Sequence, residues 1–399
     1  MIPRLLAEES FIFRSATGTG KTFAYLLPLL ERLRVLLGED NAAGEGSGHG
    51  GSALRGKPLL LIVAPTFELC SQIKNEADFL LKAAPVQAAL LIGSAAPGRQ
   101  IEVLKRDRPE VIVGNPGRIL ALARQGKLKL RNIRFLVLDE GDRLVHDELY
   151  DETRELVSLL KSSLSDVPFL GTACSATLPV KSRQRLLPLL GIPEPKTTGK
   201  GDDEEFCTGD SGLDVLREKV EHWAFFSSER EKLSLLRSLI AALNTAGGKG
   251  AKGGKSGPIK ALIFTGRARM VEDLAARLRH YKLSVASISG GMDKKRRKQA
   301  LDAFRCGQIR LLVSSDLAAR GLDINDITHV IALDVSEDRD IYLHRAGRTA
   351  RAGKGGVMVS IGTEGEMRRL AALEKSLGLT VYPKELYGGR ILAAGEDEQ

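Results

Sequence analysis

The sequence predicts an α/β protein of two tandem lobes, each a mainly parallel sheet covered by helices, and three observations carry that expectation. The 399-residue chain, 43% apolar and 27% charged, is long enough for two ordinary domains with separate cores. Short β-rich runs alternate with helix-like stretches in both halves, and the runs are apolar on both faces, as strands buried between two helical layers must be. A stretch with little apolar content, Lys196 to Ser211, divides the halves.

In the first half the strand-like runs are Phe11 to Ser15, Leu59 to Pro65, Ala88 to Gly93, Glu110 to Asn115, Phe135 to Asp139 and Phe169 to Ser175. The second half repeats the pattern with Val220 to Phe226, Ala261 to Thr265, Ser284 to Ser289, Ile309 to Ser314, His329 to Asp334 and Gly356 to Ile361. The Gly, Thr, Asp and Glu of the dividing stretch predict a flexible connection, so the domains are read as 1–196 and 216–399 with a linker at 197–215. Two low-complexity tracts, Gly38 to Gly56 and Ala246 to Gly257, read as exposed loops. After Thr363 the sequence reads as one helix, Glu364 to Leu377, and a short tail ending in acidic Glu396 to Gln399.

Apolar runs such as Leu59 to Ala64 are too short to span a bilayer, and Met1 to Phe13 lacks a basic start with a long apolar stretch. A soluble, unexported protein with no membrane partner is expected. Cys70, Cys174, Cys207 and Cys306 show no paired spacing, which fits a reducing compartment, argues against structural zinc and leaves all four as structural or incidental. The net charge of +9 favours a polyanionic partner, although charge by itself does not distinguish nucleic acid from a merely basic surface.

The motifs decide more. Ser15-Ala16-Thr17-Gly18-Thr19-Gly20-Lys21-Thr22 lies between a strand and an apolar helix, where a P-loop aims backbone N–H groups and a helix N-terminus at phosphates. Thr17 to Gly20 would cradle the phosphates of a nucleotide, Lys21 would reach the β and γ phosphates, and the Thr22 hydroxyl would ligate Mg2+. The strict pattern opens with Gly where this chain has Ser15, and a chance glycine-rich turn is the competing reading. Phe135 to Leu138 runs into Asp139-Glu140-Gly141-Asp142, acidic residues at the carboxyl end of an apolar strand. Asp139 suits the metal and Glu140 suits a base that orients water, against the alternative of an acidic helix start favoured by the helix dipole. His344-Arg345-Ala346-Gly347-Arg348-Thr349-Ala350-Arg351 places arginines three apart on one side of a helical segment, either as arginine fingers for a γ-phosphoryl group or as a basic helix face.

These motifs, in this order, with Ser175-Ala176-Thr177 and the run from Ser315 to Asp323 between them, resemble the DEAD-box RNA helicases of superfamily two over Phe11 to Thr363. The resemblance implies two RecA-like, P-loop NTPase domains that use ATP and Mg2+. It implies that Asp142 couples the nucleotide site to Ser175 and Thr177 and, across the cleft, to His344. Asp323 would meet the ATP ribose, Arg348 and Arg351 would be the γ-phosphate arginines, and Arg345 would support them. RNA contacts would come from Pro65, Thr66 and the residues through Leu69, from Gly93, from Pro116, Gly117 and Arg118, from Gly266 and Arg267, from Lys294 to Arg297, and from Ser315. Small residues, hydroxyls and arginines suit sugar and phosphate, so the RNA is expected to be held through its backbone.

Three residues depart from the family pattern. Gly141 stands where Ala is usual, and hydrolysis is expected to survive it; Phe67 replaces the Arg after Pro-Thr and Asn115 the Thr before Pro-Gly-Arg, so weaker RNA affinity is expected. The segment before the P-loop has no room for the aromatic and glutamine by which the family reads adenine, the Q motif. An N-terminally truncated chain is therefore expected, with Ile2 to Leu6 as the tail of the helix after that motif. The implied activity is RNA-stimulated ATP hydrolysis coupled to lobe closure, acting on single-stranded or short duplex RNA or on ribonucleoprotein. The implied protein is a cytoplasmic monomer with ribosome-assembly or other ribonucleoprotein partners. The rivals are an ATP-gated RNA clamp that scarcely unwinds and a DNA translocase of the same superfamily, the latter disfavoured by Pro-Thr, Ser-Ala-Thr and Arg-Gly-Leu-Asp.

Overall fold

Each of the predicted strands is present, with ends within two residues of the sequence reading. The computed structural model describes residues 1–15, 20–38, 54–82, 84, 86–93, 95–164, 169–175, 177–193, 211–245, 259–290, 292–319, 324, 326–350 and 354–395. They fall into two units, Met1–Gly209 and Asp210–Gln399, each described by itself. The low-complexity tracts lie mostly outside the described residues, as do most of the dividing stretch and the acidic end.

In the first unit β1 (Phe11–Arg14), β2 (Leu60–Val63), β3 (Ala88–Leu91), β4 (Val111–Gly114), β5 (Phe135–Asp139) and β6 (Leu170–Ser175) form one sheet in the order β1-β6-β5-β2-β4-β3. Every pairing is parallel. The helices are α1 (Ile2–Leu6), α2 (Lys21–Leu36), α3 (Phe67–Leu81), α4 (Pro97–Asp107), α5 (Pro116–Arg124), α6 (Gly141–Leu144), α7 (Tyr150–Ser163) and α8 (Val180–Leu190). Because side chains alternate across a strand, Phe11, Leu60, Ile62, Phe135 and Val137 join a core with Leu26, Leu29 and Leu33 of α2. Ile12, Leu61, Val63, Leu136 and Leu138 enter the opposite core with Ile119 of α5, Leu156 of α7 and Leu186 of α8. Each such side chain is fully buried and contributes about 1.5–3 kcal/mol of transfer free energy, so burial on both faces outweighs any local preference.

The second unit contains β7 (Val220–Phe226), β8 (Ala261–Phe264), β9 (Val285–Ile288), β10 (Leu311–Ser314), β11 (His329–Ala332), β12 (Gly356–Gly362), β13 (Val381–Tyr387) and β14 (Arg390–Ala393), ordered β14-β13-β7-β12-β11-β8-β10-β9. Its helices are α9 (Ser211–Lys219), α10 (Lys232–Thr245), α11 (Met270–His280), α12 (Lys294–Arg305), α13 (Asp316–Ala319), α14 (Arg339–Ala346) and α15 (Glu364–Leu377). Helix α9 takes up the last residues of the stretch read as a linker. Among the described residues no helix is long and apolar enough to cross a membrane.

The tail after Leu377 corrects the sequence reading. It is a hairpin: β13 pairs parallel with β7, and β14 folds back antiparallel on β13. Its side chains alternate between exposed and half-buried, and Lys384 and Glu385 dilute the apolar pattern, so periodicity gave no strand signal. Left-handed Gly388 and Gly389 make the turn, a glycine pair that was the available clue.

Candidate functional site

Parallel strands put all their carboxyl ends on one rim of the sheet, where α/β proteins bind ligands. In the first unit the order β1-β6-β5 then β2-β4-β3 divides that rim into two halves.

The P-loop motif follows β1, the acidic motif Asp139 to Asp142 follows β5, and Ser175-Ala176-Thr177 follows β6. The Ser15 N–H donates to the Ser175 carbonyl at 2.9 Å, joining β1 to the β6 end. Thr17, Gly18 and Thr19 lie outside the described residues. Gly20 has φ +84°, a left-handed conformation that suits glycine, and caps α2, so Lys21 and Thr22 occupy the first turn at its positive end. Asp139, 2% exposed, closes β5. One carboxylate oxygen accepts from the Cys174 thiol at 3.0 Å and the Glu140 N–H at 2.8 Å, and the other from the Tyr25 hydroxyl at 2.9 Å. Burial first, and the Asp139 charge second, push the Tyr25 and Cys174 protons to higher pKa, so both remain donors. Glu140 sits at φ +50° as the cap of α6. Asp142, one turn on, accepts from the Thr177 hydroxyl at 2.7 Å, with both side chains buried. A Cβ on Gly141 would lie 3.3 Å from the Ala173 methyl and from Leu186, so glycine fills a tight spot here.

The other half of the rim holds the residues expected to meet RNA. Pro65 and Thr66 follow β2, Gly93 follows β3, and Pro116, Gly117 and Arg118 follow β4. The Thr66 hydroxyl caps α3 by accepting from the Leu69 N–H at 3.3 Å. Arg118 donates to the Gly93 carbonyl at 2.9 Å, and Asn115 to the Ala64 carbonyl at 2.9 Å, so side chains lash the three loops together. Phe67 is 42% exposed on this surface. Gly114 backs onto the Leu91 carbonyl so closely that no Cβ fits.

The second unit repeats the arrangement, with β8, β10 and β9 adjacent at one side of its sheet. Gly266 and Arg267 follow β8 and are exposed, Ser315 follows β10 and is buried, and α12, starting at Lys294, follows β9. Lys294's side chain lies outside the described residues. Arg297, expected to face RNA, donates to the Ala318 carbonyl at 2.9 Å and is half-buried, whereas Lys295 and Arg296 beside it are exposed. The arginine motif needs a correction. Helix α14 carries His344 and Arg345 in its last turn but ends at Ala346, so Arg348 does not continue the helix face. Gly347 caps the helix, and the Thr349 hydroxyl donates to the Ile327 carbonyl at 2.6 Å, drawing the chain aside. Arg348 is buried and donates to the His344 carbonyl at 3.3 Å; Arg351 and Asp323 lie outside the described residues. Arg345, 3% exposed, forks to both oxygens of Asp316 at 2.7 and 2.8 Å and to Asp334 Oδ2 at 3.0 Å, tying the end of β10 to the end of β11.

Among the described residues no cluster of three or more His, Cys, Asp or Glu could cage a metal. One carboxylate with a nearby hydroxyl, completed by phosphate oxygens and water, is the donor set that suits Mg2+. Asp139 offers the carboxylate, and Thr22, three residues before the Tyr25 that bonds it, offers a hydroxyl.

Residues 1–186 match the family model described as DEAD/DEAH box helicase, and residues 232–353 match the helicase conserved C-terminal domain. The chain is similar to the DEAD-box ATP-dependent RNA helicase CshC of Bacillus cereus, 31% identical over 388 residues that cover 97% of this chain and 87% of the relative. The chain belongs to the DEAD-box RNA helicases. It is also 31% identical to the probable ATP-dependent RNA helicase YfmL of Bacillus subtilis over 387 residues, covering 97% of this chain and 89% of that protein. Among solved structures it shares its fold with the DEAD-box helicase Mss116 bound to single-stranded RNA and UDP-BeF, with a TM-score of 0.78 and 22% identity over 97% of this chain and 74% of that one. The two RecA-like domains expected from the motifs are thus the family's fold.

Sequence reasoning missed Tyr25 and left Cys174 as structural or incidental without linking it to Asp139. Tyr25 had a signal: it stands four residues after Lys21 in a helix of aliphatic residues, and a buried tyrosine hydroxyl needs a partner. Cys174 directly precedes Ser175, which places it in the strand beside Asp139.

Proposed function

We propose that this DEAD-box chain hydrolyses ATP in response to RNA and uses the cycle to close its two units on a single strand, separating short duplexes or remodelling ribonucleoprotein. The observation that supports the reading is the divided rim of the first unit, with the motifs expected to handle phosphate after β1, β5 and β6 and the loops expected to read an RNA backbone after β2, β3 and β4. Lys21 and the α2 N-terminus would hold the phosphates, Thr22 and Asp139 the magnesium ion, and Glu140 the attacking water. The bound ion supplies positive charge against the charge that develops on the phosphates. Arg348 and Arg351 would complete the site from the second unit, so hydrolysis would wait for closure. Asp142, through Thr177 and toward Ser175 and His344, would report the nucleotide state. Contacts to sugar and phosphate would favour RNA through its 2′-hydroxyl and carry little sequence information.

Steady-state ATP hydrolysis with and without single-stranded RNA, beside a DNA control of equal length and the Lys21→Ala variant, tests this. RNA-specific stimulation that Lys21→Ala abolishes is the expected result, and equal stimulation by DNA overturns it. A second reading, an ATP-gated RNA clamp, is favoured by Phe67, which presents no charge to a phosphate; strand separation on a short duplex distinguishes the two.

A further inference from the structure

The Asp139 carboxylate is buried at the carboxyl end of β5, and a buried charge is tolerated only when its lone pairs are filled. One of its three donors, the Glu140 N–H, is backbone. The other two are side chains from different elements: the Tyr25 hydroxyl, from the helix that begins with Lys21 and Thr22, and the Cys174 thiol, from the strand that ends in Ser175. They grip opposite oxygens, so together they fix both the position and the rotation of the carboxylate. Both are wholly buried, so water cannot replace either donor.

We propose that Tyr25 and Cys174 are positioning residues that orient Asp139 for the magnesium ion, so that the metal dependence of nucleotide binding is set by this pair. The inference rests on the reading of Asp139 as a metal ligand. Carboxylates that bind metals are commonly held by hydrogen bonds from outside the ligand set, and loss of such a partner weakens metal affinity by about 10–100-fold. The geometry also joins the start of α2 to the end of β6 through a single carboxylate. Displacing Asp139 would therefore be felt at Lys21 on one side and at Ser175 on the other. Asp139 and Cys174 stand directly opposite each other in register on β5 and β6, which brings the thiol within 3.0 Å of the carboxylate.

The test is equilibrium binding of a fluorescent ADP analogue to the full chain, titrated with Mg2+, for wild type, Tyr25→Phe, Cys174→Ala and Cys174→Ser, with thermal unfolding of each. Tyr25→Phe removes one oxygen and little else, so it keeps the question answerable even where a cysteine variant folds poorly. A Mg2+ midpoint raised about tenfold or more in Tyr25→Phe and in Cys174→Ala, with Cys174→Ser recovering most of the loss, is the expected result. Midpoints equal to wild type in Tyr25→Phe, or in a folded Cys174→Ala, overturn the pair. If wild type itself binds the analogue without Mg2+ dependence, the fault lies in the reading of Asp139 as a metal ligand, an outcome distinct from unchanged variants on a Mg2+-dependent wild type.

Discussion

Replacing Thr177 with Val keeps the shape of the side chain and removes one hydroxyl, the one that donates to Asp142 at 2.7 Å. Both side chains are buried, so the orphaned carboxylate oxygen gains no water in exchange. A hydrogen bond to a charged group contributes about 1.5–3 kcal/mol net, and leaving a buried acceptor unfilled costs a similar amount. For a folded unit of roughly 200 residues each kcal/mol moves the melting temperature by about 2–4 °C, so Thr177→Val should lower the first unit's Tm by roughly 3–12 °C. Thr177→Ser, which loses a methyl and keeps the donor, should fall by a small fraction of that. Differential scanning calorimetry of the full chain reads both, and the RNA stimulation of ATP hydrolysis measured alongside shows whether the bond also transmits the nucleotide state. A Thr177→Val melt within about 1 °C of wild type, or a Thr177→Ser as unstable as Thr177→Val, refutes the reasoning, because the energy would then not reside in the hydroxyl.

Acid should destabilise the second unit through His329. Its ring is buried and burial pushes its pKa from 6.5 down to about 4, so as pH falls the unfolded chain binds the proton first. The stability linked to His329 is whole above pH 6.5, declines as pH drops toward 4 and amounts to about 3 kcal/mol across that window. Burial lowers His222 as well and acts in the same direction. Urea midpoints from pH 4 to 7 should converge between wild type and His329→Leu at the acid end; parallel curves would contradict the assignment. Arg345→Lys keeps the charge but cannot span Asp316 and Asp334 as the guanidinium does, and it should cost the second unit about 3 kcal/mol by denaturant unfolding, with an unchanged midpoint arguing against the fork.

Much of this was legible from residues alone. Strands such as Leu60–Val63 and Leu311–Ser314 are apolar on both faces and short, and in an alternating chain only a covered parallel sheet accommodates them. Asp139 closes β5, the strand-end position that the acidic motif led one to expect. What stayed hidden depends on three-dimensional pairing. Nothing in the local pattern around Val381–Tyr387 signals a strand, because its partner β7 lies more than a hundred residues away in sequence. The Arg345 to Arg348 spacing suggests one helix face until Gly347 and the Thr349 hydroxyl turn the chain away. Arg297 looks like a phosphate ligand in a basic run, yet its reach to the Ala318 carbonyl gives it work inside its own unit.

The central strand pair of the first unit sets a scale. β5, which ends in Asp139, and β2, which leads to Pro65 and Thr66, are hydrogen-bonded neighbours, Leu60 opposite Phe135 and Val63 opposite Leu138. Neighbouring strands lie about 4.8 Å apart. The loops after β2, β4 and β3 are therefore set at increments that the backbone ladder cannot stretch. Substitutions in those loops change their side chains, while the spacing between the end of β2 and Asp139 at the end of β5 stays a property of the ladder itself.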